Sequence, residues 1–126
     1  MNFSELGLCD ELSQAVADLG YTAPTPIQEK SIPYVLMGRD ILGSAQTGTG
    51  KTASFTLPMI EILASGRAKA RLPRSLILAP TRELAAQVAD SFEKFSTYHK
   101  LSMALLIGGV SFADQNAAPV SYTHLR

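Results

Sequence analysis

Apolar residues near the start of the chain recur every three or four positions. Leu8, Leu12, Val16 and Leu19 share one helical face, Cys9 falls at the position of an N-cap, and Gly20 supplies a stop. The next segment, Ala23-Pro24-Thr25-Pro26-Ile27-Gln28, carries its own start signal. Thr25 is a good N-cap, Pro26 suits the first helical position, and Gln28 three residues on completes a capping box. That helix is predicted to run toward Met37, stop at Gly38, and kink or restart at Pro33.

Beyond Gly38 the pattern alternates between short apolar runs and helical stripes. Asp40–Ser44 reads as a buried strand that feeds the turn Gln46-Thr47-Gly48-Thr49-Gly50, followed by a helix over 51–63. Ser75–Ala79 is a second buried strand, closed by Pro80. Leu84, Val88, Phe92 and Phe95 then mark one helical face, while Glu83, Gln87, Asp90 and Lys94 point elsewhere. Ser102–Ile107 is a third strand ending at Gly108-Gly109, and Ser111-Phe112-Ala113-Asp114 opens another helix as a capping box. Strands apolar on both faces and separated by helices predict an α/β fold, a parallel sheet flanked by helices. No internal repeat or low-complexity segment interrupts it.

Composition narrows the class. A chain of 126 residues with 46% hydrophobic and 17% charged content has room for one domain at most and is too apolar for intrinsic disorder. Eleven basic residues balance eleven acidic ones, which excludes a polybasic nucleic-acid binder but not a protein that grips phosphates through backbone amides. The single Cys9 excludes a disulfide framework and a thiolate zinc cluster, and suits a reducing compartment. Met1-Asn2-Phe3-Ser4-Glu5 lacks the basic start of a signal peptide, and the most apolar stretch, Ala53–Leu63, is broken by Pro58 and Glu61. A soluble cytoplasmic protein, with no membrane partner, is the expectation. Arg67, Lys69, Arg71 and Arg74 read as a solvated basic loop or, alternatively, an RNA patch. His99 and His124, without clustered partners, read as surface histidines.

The strongest chemical signal is Gly48-Thr49-Gly50-Lys51-Thr52, placed between a predicted strand and a predicted helix. Gly48 and Gly50 permit positive φ, so successive N–H groups can turn inward as an anion nest backed by a helix N-terminus. Lys51 would place a charge on β- and γ-phosphates, and the Thr52 hydroxyl would ligate Mg²⁺. Position 45, where the general phosphate-loop pattern wants glycine, is Ala45. This device predicts nucleotide binding without separating kinases, GTPases and motor ATPases.

Four segments in order resemble DEAD-box ATP-dependent RNA helicases, with a texture most like bacterial RhlE-type members. Gly20-Tyr21-Thr22-Ala23-Pro24-Thr25-Pro26-Ile27-Gln28 is similar to the family's Q motif, with Phe3 at its upstream aromatic position. Ala45-Gln46-Thr47-Gly48-Thr49-Gly50-Lys51-Thr52 is similar to motif I, Pro80-Thr81-Arg82-Glu83-Leu84-Ala85 to motif Ia, and Gly108-Gly109 to the GG element. The resemblance implies a RecA-like domain over 1–118 that binds ATP with Mg²⁺. Gln28 would read the adenine edge with one donor and one acceptor, and Tyr21 would stack on the ring. Pro80, Thr81, Arg82, Gly108 and Gly109 would contact the RNA backbone without reading bases. Each residue also has a plainer role open to it. Gln28 can serve the cap alone, Phe3 and Tyr21 the core, Thr81 an N-cap, Arg82 and Glu83 a solvated pair, and the glycine pair an ordinary loop.

Other features depart from the family pattern. A phosphate-loop ATPase holds Mg²⁺ with a carboxylate at a neighbouring strand end, yet 76–78 run into Ala79-Pro80 and 105–107 into glycines. The D-E-A-D and S-A-T elements and a second RecA-like domain are not in the sequence. Residues 119–126, Pro119-Val120-Ser121-Tyr122-Thr123-His124-Leu125-Arg126, do not follow the family, although Val120, Tyr122 and Leu125 allow a short extended piece. Two other readings stay open: another phosphate-loop class such as a nucleotide kinase, or a nucleotide-binding piece without turnover.

Overall fold

The computed structural model describes residues 1–65, 73–108 and 123–125. A short 3-10 helix, Phe3–Leu6, is opened by Asn2, whose side chain accepts from Glu5 N while Glu5 answers the Asn2 N–H at 2.8 Å. Helix α1, Asp10–Asp18, follows with Cys9 at its N-cap. Leu12 and Val16 are buried as the spacing predicts, together with Leu8. Leu19 departs from that face at 41% exposure, because the helix ends at Asp18 and Leu19 belongs to the capping turn.

Helix α2, Pro26–Leu36, runs through Pro33 without a restart and is stopped at Gly38, whose φ is +77°. Helix α3, Lys51–Ser65, extends two residues beyond the predicted end, and the Arg74 guanidinium donates to the Leu63 carbonyl in its last turn at 2.6 Å. Phe3, Leu12, Val16, Ile32, Leu57, Ile60, Phe92 and Phe95 join these helices in the main apolar core.

Among the described residues, three short strands form one parallel sheet: β1, Leu76–Ile77; β2, Met103–Leu105; and β3, Thr123–Leu125. The order is β1-β3-β2, with Ile77 and Leu105 both in register with Leu125. Residues 123–125, from the stretch that does not follow the family pattern, thus supply the central strand of the described sheet. Helix α4, Arg82–Phe95, covers the sheet with Val88 and Ala89 against Ile77, Met103 and Leu105. Its buried face is Ala85, Val88, Ala89, Phe92 and Phe95. Leu84, expected there, is exposed because Ala85 takes the inward position one residue later.

The strand expected over Asp40–Ser44 is not formed. No described segment pairs with it, and Leu42 is fully exposed. An apolar run becomes a strand only where a neighbour accepts its backbone hydrogen bonds. β1 is not buried on both faces as expected: Ile77 faces α4 while Leu76 and Leu78 are exposed, because no described element covers the other side of the pleat. Arg67, Lys69, Arg71, Gly109 and the 111–114 capping box lie outside the described residues. No helix among the described residues is long and apolar enough to cross a membrane.

Candidate nucleotide-binding cleft

The start of α2 is built as its capping residues predict, and it does more than begin a helix. Gln28 Oε1 accepts the Thr25 N–H at 3.0 Å, and Gln28 Nε2 donates to the Gly50 carbonyl at 3.1 Å. At 2% exposure, this one amide joins the N-terminus of α2 to the glycine-rich turn. Thr25 Oγ1 faces the Gln28 backbone N–H as the other half of the box, and is buried with no hydrogen-bond partner among the described residues.

Gly48 and Gly50 both have φ +83°, the left-handed region that the anion-nest reading requires. Their surroundings differ. A Cβ on Gly48 would meet nothing within 4 Å, whereas one on Gly50 would lie 2.3 Å from Gln28 Nε2 and 3.3 Å from Thr25 Oγ1. Within the turn, Thr49 Oγ1 donates to the Gln46 carbonyl at 2.6 Å and Lys51 Nζ to the Ala45 carbonyl at 2.5 Å. Helix α3 begins at Lys51, so its first free N–H groups are presented at the turn.

Loop, α2 start, β1 end and α4 enclose a cleft of about 750 Å³. Tyr21, Thr25, Gln28, Thr47, Gly48, Gly50, Lys51 and Thr52 contribute to its wall, which brings together most of the residues assigned from the Q motif and motif I. Tyr21 is half-exposed there, its ring tilted against Phe95 at a centroid distance of 6.1 Å. Phe3 is not in the wall: at 5% exposure it sits in the core, the plainer of the two roles open to it. Phe55, Leu84, Gln87 and Ser91 also line the cleft, and sequence reasoning did not single them out for it. The signal for the last two was their i, i+4 spacing on the stripe beside the α4 core face.

Thr81 Oγ1 accepts from the Leu84 N–H at 3.1 Å and caps α4. Pro80, Thr81 and Arg82 are exposed, and Arg82 has no carboxylate partner among the described residues. Gly108 is an exposed turn after β2 with open space where a Cβ would stand. Because Ile77 and Leu105 share one register partner, both turns lie at the carboxyl edge of the parallel sheet, where α/β folds place their ligands.

A second cavity of about 520 Å³ contains a contact invisible to local pattern. His99 Nε2 lies 3.7 Å from Cys9 Sγ, so His99 is half-buried rather than a free surface histidine. Glu61 accepts the Cys9 N–H at 3.0 Å, tying α3 to the N-terminus of α1. Burial, and then the Glu61 carboxylate, push the Cys9 thiol up to about 11. No three His, Cys, Asp or Glu side chains among the described residues gather closely enough to hold a metal.

Comparison with known proteins agrees with the geometry. The sequence profile of the DEAD/DEAH box helicase family matches residues 25–124. An ATP-dependent rRNA helicase rrp3 of Aspergillus terreus is 51% identical over 116 residues, 92% of this chain and 25% of the relative. The Neurospora crassa rrp-3 is 48% identical over 92% of this chain and 22% of its own length. Among solved structures, a DEAD box protein from the hyperthermophile Methanococcus jannaschii superposes with TM-score 0.88 at 38% identity, covering 99% of this chain and 34% of that one. The RNA-helicase Prp28 from Chaetomium thermophilum bound to ADP gives 0.86 at 37% identity, covering 98% of this chain and 31% of its own. The chain therefore spans about a quarter of the curated relatives it matches. Its fold is that of part of a RecA-like domain, and the chain belongs to the DEAD/DEAH box helicase family.

Proposed function

We propose that this chain is the ATP-binding and part of the RNA-binding portion of an ATP-dependent RNA helicase. One observation carries the reading: Gln28, Gly50, Lys51 and Thr52 share a single cleft, with Gln28 hydrogen-bonded directly to the loop. The phosphates would lie on the amides of 48–52, with Lys51 leaving the Ala45 carbonyl to meet them. The adenine edge would face Gln28, with Tyr21 against the ring. Thr52 lines the cleft, and its hydroxyl would serve as an oxygen ligand for Mg²⁺ beside the phosphates. Bound there, Mg²⁺ would neutralise charge on the β- and γ-oxygens.

Pro80, Thr81, Arg82 and Gly108 would hold an RNA backbone at the sheet edge through exposed main chain and one free guanidinium. Such contacts carry no base information, so binding would be sequence-independent. The cytoplasm is the proposed location, which suits a chain whose one cysteine, Cys9, is free. This chain alone would bind nucleotide without turning it over. Of the strand ends whose continuation is described, β1 leads into Ala79-Pro80 and β2 into Gly108, neither of them the carboxylate with which a phosphate-loop ATPase holds its metal.

Titration calorimetry with ATP·Mg²⁺ and GTP·Mg²⁺ on the wild-type chain and Lys51→Ala tests the reading. Saturable ATP binding, weaker GTP binding, and loss of both on Lys51→Ala are expected. Equal affinity for the two nucleotides favours another phosphate-loop class, and binding unchanged by Lys51→Ala refutes the site.

A further inference from the structure

We infer that Asp40–Ser44 is a self-association surface, on which a second copy of this chain pairs antiparallel about a two-fold axis. The segment has the apolar character of a strand and no strand partner. Among the described residues, no backbone N–H or C=O of 40–44 makes a backbone–backbone hydrogen bond. Free backbone groups on an apolar segment are a template for pairing with another chain. Leu42 is fully exposed, and Tyr34, Met37 and Ile41 are exposed around it. Between the segment and α2 lies a groove of about 400 Å³, with Ile27 and Tyr34 in its wall.

Charge decides the occupant. Two cations, Lys30 and Arg39, and one carboxylate, Asp40, also line the groove. None of the three is in a salt bridge among the described residues. A second copy brings the complement. A two-fold axis reverses the segment, so pairing about Leu42 sets Asp40 of the second copy opposite Ser44, on the groove that Lys30 lines. The contact is isologous: the Lys30–Asp40 pair forms twice, while Leu42 meets its own copy at the axis. Eleven basic and eleven acidic residues leave no net charge at pH 7 to hold the copies apart.

Sedimentation velocity over a range of chain concentrations, at low and high NaCl, tests the inference. A reversible monomer–dimer equilibrium is expected, weakened by salt because exposed charge pairs are screened. Leu42→Lys sets two ammonium groups against each other at the axis and is expected to stay monomeric. Its thermal midpoint should match wild type, since the side chain it replaces is exposed. Lys30→Glu and Asp40→Lys should each raise the dimer dissociation constant about tenfold, and the double variant should restore it. Should Leu42→Lys fold poorly, this charge-reversal set decides alone. A monomer at every concentration overturns the inference. So does a dimer that survives Leu42→Lys or that the double variant fails to restore, and so does open-ended aggregation, which a closed two-fold pair does not produce.

Discussion

Gln28 reaches across 22 positions of sequence to place its Nε2 on the carbonyl of Gly50 at 3.1 Å. The amide that closes the cap of α2 therefore also fixes the last residue of the glycine turn before α3. Two sequence motifs that look independent along the chain are one hydrogen-bonded unit in space.

Substitution of the two positive-φ glycines separates backbone cost from contact. Gly48→Ala is expected to cost about 1–2 kcal/mol, the ordinary penalty of a left-handed L-residue, since nothing surrounds its Cβ. Gly50→Ala adds a methyl 2.3 Å from Gln28 Nε2 to the same penalty and has to push the amide away. Urea unfolding should place Gly50→Ala clearly below Gly48→Ala, and equal stabilities would deny the Gln28–Gly50 contact.

Tyr98 and Asp18 tie the end of α4 to the end of α1. The Tyr98 hydroxyl donates to Asp18 Oδ2, while Gln14 Nε2 holds Oδ1 at 2.7 Å. The Tyr98 bond, followed by that of Gln14, lowers the Asp18 carboxyl below its usual range, and the same bond raises the Tyr98 phenol. A lowered acid stabilises above its unfolded value and loses that contribution as pH falls through the folded one. A raised phenol stabilises below about 10 and loses it as pH climbs further. Thermal melts of Tyr98→Phe should therefore match wild type at both pH extremes and fall below it between them. A constant difference across the range would contradict the linkage.

Cys9 should be chemically quiet in the native chain. A thiol raised to about 11 leaves a thiolate fraction on the order of a hundredfold smaller than an exposed cysteine has at pH 8. Iodoacetamide labelling followed by mass spectrometry is expected to be slow in buffer and fast in urea. Glu61→Gln, which removes the second cause of the shift, should speed the native reaction. Labelling as fast in buffer as in urea would show Cys9 to be free of Glu61 and His99.

The parts legible in sequence were those fixed by near neighbours. Thr25, Pro26 and Gln28 announced the start of α2, Gly48 and Gly50 the left-handed turn, and Thr81 the cap of α4, because each acts within three or four residues of itself. Asp40–Ser44 misled because apolar character shows what a segment could bury, while strand formation depends on a partner elsewhere in the chain. Leu84 and Leu19 misled at helix ends, where one residue of boundary decides which side chain points inward. The Cys9–His99 contact, 90 positions apart, left no local trace at all. Gln28 was legible twice, as a cap and by resemblance as a base reader; its bond to Gly50 follows from neither.

The central claim is that triphosphate is held by the main chain of 48–52, with Gln28 responding to the base. Titrating the isotopically labelled chain with ATP·Mg²⁺ and following amide resonances by NMR addresses it directly. The largest shifts should fall on the backbone N–H groups of Gly48 to Thr52 and on the Gln28 side-chain NH₂. Shifts concentrated around Cys9, Glu61 and His99, with those of the glycine turn unmoved, would contradict the account.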